Sequence, residues 1–189
     1  MGGSVPVTKV NVCANHQQVE ITTPLGKILL NIDPAAAPIT AGNFLTYASS
    51  GLLDQAAFYR IVAPCNQQDS KVPINVVQGG WREDVPPPRP PIPHEPTIRT
   101  GLRHRDGTIS MARLEPGTAA GAFFICVGDH PELDHGGARN PDGQGFAAFG
   151  RVVEGMEVVR AIWARAEPQE FLNEPISIVT TTRVAQQDG

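Results

Sequence analysis

The chain is 189 residues long, 41% hydrophobic and 18% charged, with a formal net charge of −4. That length carries one domain with a substantial core and is short for two. The negative balance and the lack of a Lys/Arg run argue against a nucleic-acid partner, and no apolar run of about 18 residues is present to cross a membrane as a helix.

Met1-Gly2-Gly3-Ser4 lacks the basic start and apolar centre of a secretory leader. The compartment stays open: cytoplasmic, or exported and periplasmic if a leader was removed ahead of Met1. Residues 1–18 read as an N-terminal extension, with a short strand around Val10-Asn11-Val12. Val19-Glu20-Ile21-Thr22-Thr23 alternates apolar and polar, Pro24-Leu25-Gly26 signals a turn, and Lys27–Ile32 returns, which predicts a β-hairpin. After Asp33-Pro34 the period changes. Ala41, Phe44, Leu45 and Ala48 share one helical face, with Thr40 as N-cap and Gly51 as the stop.

Two strand-like runs follow, Phe58-Tyr59-Arg60-Ile61-Val62 and Val76-Val77-Gln78-Gly79-Gly80, separated by a polar loop over 63–75. Val85 to Pro93 is proline-dense and extended, either a ligand for a proline-recognising module or a stiff surface loop. A polar loop over 94–106 leads to strands at Thr108–Ala112 and Ala122–Val127. A Gly/Asp-rich segment over 128–145 precedes a strand at Phe146–Val153. A second helix carries Met156, Val159, Ile162, Trp163 and Ala166 on one stripe, Ile176–Thr180 reads as the closing strand, and 185–189 as a tail. Glycine (19) and proline (18) are abundant and aromatics make up 6%, which suits a turn-rich, mainly β domain over 19–184. About eight antiparallel strands of this kind close into a barrel or sandwich, with two helices over the open ends.

Chemistry-bearing motifs are sparse. There is no Gly-x-Ser-x-Gly elbow, no phosphate-cradling glycine loop and no His-Glu-x-x-His. Asp129-His130, Asp134-His135 and Asp142 stand close in sequence, but their spacing fits neither a zinc nor a calcium site. Cys13, Cys65 and Cys126 are too few for a disulfide framework; Cys13 and Cys65 could pair in an exported protein, and Cys126 reads as a small buried hydrophobe. What stands out is Arg60, a charge in a run that otherwise wants burial, with Gln78 in the next run. An unpaired buried charge costs several kcal/mol, so Arg60 must find partners or line a cleft.

One reaction needs neither nucleophile nor proton shuttle: rotation about an X-Pro bond, whose barrier is about 18–20 kcal/mol. A charged donor near the prolyl nitrogen or the adjacent carbonyl weakens amide resonance in the twisted state, while an apolar pocket holds the ring.

The ordered motifs Ala37-Pro38-Ile39-Thr40-Ala41-Gly42-Asn43-Phe44, Phe58–Val62, Val77–Gly80, Gly107–Arg113, Phe123-Phe124-Ile125 and Phe149–Met156 resemble the cyclophilins, peptidyl-prolyl cis-trans isomerases. The likeness runs from about Val19 to Val184, and the stretch from Pro93-His94-Glu95-Pro96 to Gly101-Leu102 looks like bacterial members. It implies a closed eight-stranded antiparallel barrel capped by two α-helices, proline-containing polypeptide substrates, no cofactor, no metal and a monomer. It implies Arg60 as the catalytic arginine and Gln78 as the active-site glutamine. It further implies substrate-backbone contacts at Ala112 and Arg113, a pocket floor at Phe124, a pocket leucine at Leu133, and Phe146 at the pocket histidine's position. Phe58 and Val76, in the same runs as the catalytic pair, are taken as further substrate contacts.

The chain departs from the family pattern where Phe-Met usually precedes the glutamine; Asn75-Val76 stands there. The 63–75 segment and the stretch from Leu133 to Phe146 are longer than usual, and the former is placed to overhang the cleft. Ala122 replaces a glutamine. Glu132 replaces the tryptophan of many eukaryotic members, which implies weak cyclosporin binding. Two functions are carried forward: an isomerase assisting protein folding, and a binding module that holds prolyl segments with weak or no turnover.

Overall fold

The chain enters its sheet through the expected hairpin. In the computed structural model, which describes residues 16–82 and 84–184, β1 (Gln17–Thr23) pairs antiparallel with β2 (Gly26–Ile32). The alternation in sequence becomes burial: Val19, Ile21, Ile28, Leu30 and Ile32 are fully inaccessible. Thr23 Oγ1 donates to the Gly26 carbonyl at 2.9 Å and accepts the Leu25 N–H at 3.1 Å, which locks the turn. Gln17 and Gln18, read as part of the extension, are the first residues of β1. The strand expected at Val10–Val12, Cys13 and the tail over 185–189 lie outside the described residues.

The helix α1 (Pro38–Ser49) begins three residues earlier than expected. Proline opens it because a first-turn residue needs no N–H donor. Thr40 is therefore inside the first turn and not the N-cap. Its N–H and hydroxyl both donate to Glu95 Oε2 at 2.7 Å. The Glu95 side chain, 1% exposed, thus caps α1 from a distant loop and places a carboxylate at its N-terminal end. One turn further on, Phe44 packs edge-on against Phe123 (5.5 Å between centroids) and at a tilt against Phe149 (5.1 Å).

The remaining elements are β3 (Ala57–Val62), β4 (Val76–Gly80), α2 (Thr97–Thr100), β5 (Thr108–Met111), β6 (Ala122–Cys126), β7 (Ala147–Glu154), α3 (Met156–Trp163), β8 (Phe171–Ser177) and β9 (Thr180–Val184). All strand pairs are antiparallel, in the order β8-β3-β4-β6-β5-β7-β2-β1-β9. A closed barrel of eight strands with two helices is therefore corrected to a curled sheet of nine strands with three α-helices among the described residues. The closing strand is broken at Ile178 and Val179. The Ile178 N–H donates to Ala56 O at 3.0 Å, and the next N–H, Val179, to Thr22 O at 2.8 Å. Successive amides thus turn to opposite edges: β8 serves β3, β9 serves β1, and no ladder joins β8 to β9. The third helix, α2, is a single turn in the loop read as irregular, ended by Gly101 at φ +76°.

The strands next to the site carry two apolar faces. Val77, Ile109, Phe123 and Ile125 join α1, β1 and β2 in the main core. Val76, Ala122, Phe124, Cys126 and Leu133 form a smaller cluster on the other face. The proline-dense run is largely exposed and is tied down by the Ile92 N–H to Ala119 O at 2.8 Å.

Candidate active site

An extra residue in β3 builds the site. Phe58 pairs with Gly79 of β4 and Arg60 with the adjacent Gln78, so Tyr59 is a bulge. A bulge changes which face the following side chains take. Phe58 consequently turns into the main core, fully buried and edge-on to Phe123 at 5.9 Å. Arg60 turns out to the other face, directly opposite Gln78. The glycine pair is needed for this approach: a Cβ on Gly79 would stand 2.7 Å from Phe58 Cδ1. One on Gly80, at φ +93°, would stand 2.2 Å from the Gly121 carbonyl.

Across that register Arg60 Nη1 donates to Gln78 Oε1 at 2.6 Å. Gln78 Nε2 donates in turn to the Tyr59 hydroxyl at 2.9 Å. The other edge of the guanidinium, Nε and Nη2, donates to Glu170 Oε2 at 2.9 and 2.6 Å. Arg60 is thus partnered on both sides, which meets the requirement for a charge in an apolar strand. Phe171, half exposed, stacks on Tyr59 (6.3 Å) and lies 5.9 Å from the Arg60 guanidinium carbon.

These residues rim a cleft of about 330 Å³. Arg60, Val76, Gln78, Ala112, Arg113, Phe124, Leu133 and Phe146 all line it, together with Ile74, Leu114, Arg139, Asn140, Glu170 and Phe171. Phe58 does not; its expected substrate contact is corrected by the bulge. Phe124 and Phe146 meet edge to face at 5.3 Å. Beneath Phe124 the buried His104 ring is stacked at 6.0 Å, its Nδ1 2.8 Å from Asp134 Oδ1 and its Nε2 2.9 Å from Ser110 Oγ. Burial works to raise the Asp134 carboxyl, but its hydrogen bonds with His104 leave it below the usual carboxylate range.

Arg113 is bound differently from a free substrate-facing side chain. Its side chain is 1% exposed. All five N–H donors are engaged: Asp142 at 2.8 and 3.0 Å, Gly145 O at 2.9 and 2.6 Å, and Leu114 O at 3.0 Å. It also lies 5.3 Å over the Phe146 ring, so it fixes the loop that carries one cleft wall. Only its backbone is left for a polypeptide. The Ala112 N–H is likewise taken, by Ala122 O at 3.0 Å.

The longer loops close one end of the cleft. Gln67 brackets Ile74, donating Nε2 to its carbonyl and accepting its N–H at 2.9 Å. Ile74 thereby supplies an apolar wall. Asn75 turns away, its N–H donating to His130 Nε2 at 3.1 Å. The histidine and aspartate cluster considered for a metal is dispersed: His130 goes to Glu132 (2.7 Å), Asp134 to His104, Asp142 to Arg113. Glu170, Phe171, Ile74, Arg139 and Asn140 escaped the sequence reading. Only the length of the two loops pointed toward Ile74, Arg139 and Asn140, and nothing local marked Glu170.

A family model described as cyclophilin type peptidyl-prolyl cis-trans isomerase/CLD matches residues 18–183. The chain belongs to the cyclophilin-type peptidyl-prolyl cis-trans isomerases, a family of isomerase enzymes. It is 37% identical over 145 residues to the peptidyl-prolyl cis-trans isomerase cyp18 of Streptomyces antibioticus, covering 76% of this chain and 81% of that one. It is 38% identical over 148 residues to peptidyl-prolyl cis-trans isomerase A of Dickeya dadantii (76% and 70%). Its identity to peptidyl-prolyl cis-trans isomerase B of Escherichia coli K12 is 32% over 159 residues (84% and 91%). The fold is similar to a crystal structure of a Cryptosporidium parvum cyclophilin type isomerase, with TM-score 0.74 at 19% identity, over 91% of this chain and 99% of that one. A second crystal structure, in the presence of the dipeptide Ala-Pro, gives 0.73 at 20% identity (90% and 100%).

Proposed function

We propose that the isomerase seats the proline ring of an extended polypeptide on Phe124, between Val76, Leu133, Phe146 and Ile74, and twists the preceding peptide bond beside Arg60 and Gln78. The observation that carries this is the 2.6 Å Arg60–Gln78 hydrogen bond at the rim of an aromatic-floored cleft. Twisting removes amide resonance and localises electron density on the prolyl nitrogen. A positioned guanidinium stabilises that state more than the planar one. Each tenfold acceleration requires about 1.4 kcal/mol of such preference. The Ala112 carbonyl and the Arg113 backbone hold the substrate chain, and no proton transfer, metal or cofactor enters the step. Clients are proline-containing polypeptides in folding, and the protein acts as a monomer. Cyclosporin binds weakly because Glu132 holds His130 and does not line the cleft.

Cis-to-trans exchange of an Xaa-Pro peptide in a protease-coupled assay tests the reading. Wild type accelerates exchange, and Arg60→Ala loses about 100-fold or more, the scale of one removed electrostatic donor. If both variants match buffer, the enzyme mechanism falls. One observation favours a binding module with weak turnover: Glu170 already neutralises Arg60. Peptide binding without acceleration would select that reading.

A further inference from the structure

We infer that the cleft selects polypeptides bearing a carboxylate side chain close to the isomerised proline, gripped by Arg139 with Asn140 beside it. This rests on the isomerase site above and names its substrate class. Three arginines and one glutamate line the cleft. Glu170 pairs with Arg60 and Asp142 with Arg113. Arg139 makes no ion-pair contact among the described residues, although Glu170 and Glu132 are near enough to act on its charge. Its Nη1 spends both protons on Ser70 Oγ (3.0 Å) and the Val72 carbonyl (2.8 Å) of the long 63–75 loop. Those bonds fix the guanidinium plane. Its Nε and Nη2 have no partner among the described residues, and that edge is the fork that meets both oxygens of a carboxylate. Burial, and then the nearby Arg60 charge, hold the guanidinium below its ordinary value, and the Glu170 and Glu132 carboxylates offset this only in part. The adjacent Asn140 also lines the cleft, and its buried Nδ2 has no hydrogen-bond partner among the described residues.

Geometry limits which substrate residue is read. Arg139 and Asn140 line the same cleft as Phe124 and Leu133, so the carboxylate comes from a residue near the proline in sequence. From Ala112 and Leu114 the surface leads instead to a second cavity between Trp81 and Pro91. Arg139 therefore reads one flank of the proline and not the other.

The test is a set of peptides differing only by Glu or Gln at each of the two positions before and after the proline, with kcat/KM from exchange NMR. The Glu peptide is expected to exceed its Gln counterpart about five- to tenfold on one flank, and the ratio should shrink as salt rises. Arg139→Gln brings the Glu:Gln ratio to about one, and Arg139→Glu turns preference toward a Lys peptide; a ratio cancels any general loss from a disturbed loop. A ratio of one at every position in wild type, or a preference that survives Arg139→Gln, overturns the inference. If no peptide is turned over, the isomerase mechanism falls separately, and the Glu:Gln ratio of peptide Kd values still decides the carboxylate preference.

Discussion

Arg60 is held from both edges, and the less expected partner is Glu170. Two bonds to one Glu170 oxygen orient the guanidinium plane and leave Nη1 aimed at Gln78. That makes Glu170 a positioning residue for the electrostatic catalyst. Glu170→Ala should lower kcat/KM on a neutral Xaa-Pro peptide roughly three- to tenfold, mostly in kcat, because a loosened guanidinium forfeits preorganisation. Glu170→Gln, which keeps an acceptor, should recover part of the loss. Equal kcat in all three proteins would make the ion pair a bystander. At this scale the sequence was readable where the chemistry was odd: a charge in an apolar run, an amide before two glycines, paired phenylalanines. Phe123 and Phe124 divide between core and cleft as strand alternation requires. Phe58 misled because a single bulged residue, Tyr59, reverses the alternation, and no composition signal announces a bulge. Glu170 was hidden because its partner is 110 positions away.

At the scale of elements, the cleft is finished by two loops that pin each other. Arg139 of the second holds Ser70 and Val72 of the first, and Asp142 holds Arg113, which in turn lies over Phe146. The hydrogen bond from Arg113, then the Gln144 N–H, hold the Asp142 carboxyl down at about 2. An unfolded aspartate titrates near 3.9. The folded value is the lower one, so the stabilising linkage is fully present above about pH 4 and is lost as pH falls toward 2. Urea unfolding at stepped pH should show a steeper loss between pH 4 and 2 in wild type than in Asp142→Asn, with no difference in slope above pH 5. Parallel curves in the acid range would mean that the Arg113 clamp does not hold in solution. The loops were legible as long and polar, but their ion pairs were not. The hairpin, α1 and α3 were legible because each repeats one period over two or more turns or several alternations. The four residues of α2 are too few to show one.

For the molecule as a whole, strand content and antiparallel character followed from alternation and turn residues. Closure did not, because the break at Ile178 and Val179 is a matter of where two consecutive N–H groups point. Among the described residues no helix is long and apolar enough to cross a membrane. The division of β4 and β6 into two faces makes a whole-molecule prediction. Phe123→Ala removes a ring that meets both Phe44 and Phe58, and should cost about 3–5 kcal/mol of stability by chemical denaturation. Phe124→Ala should cost less stability and far more kcat/KM, since its ring faces the cleft. Equal stability losses with equal activity losses would contradict the division.

That division also bears on how such a protein can change over generations. In β6 the odd positions Phe123 and Ile125 answer to the main core, and the even positions Ala122, Phe124 and Cys126 to the smaller cluster, from which Phe124 reaches the cleft. A point replacement at Phe124 edits the cleft floor and leaves the main core alone. Adding or deleting one residue exchanges the two sets wholesale, exposing one and misfilling the other. Lineages of this fold can therefore explore new substrates by swapping letters at cleft-facing positions, and must place changes of length in the loops or at a bulge that absorbs them, as Tyr59 does in β3.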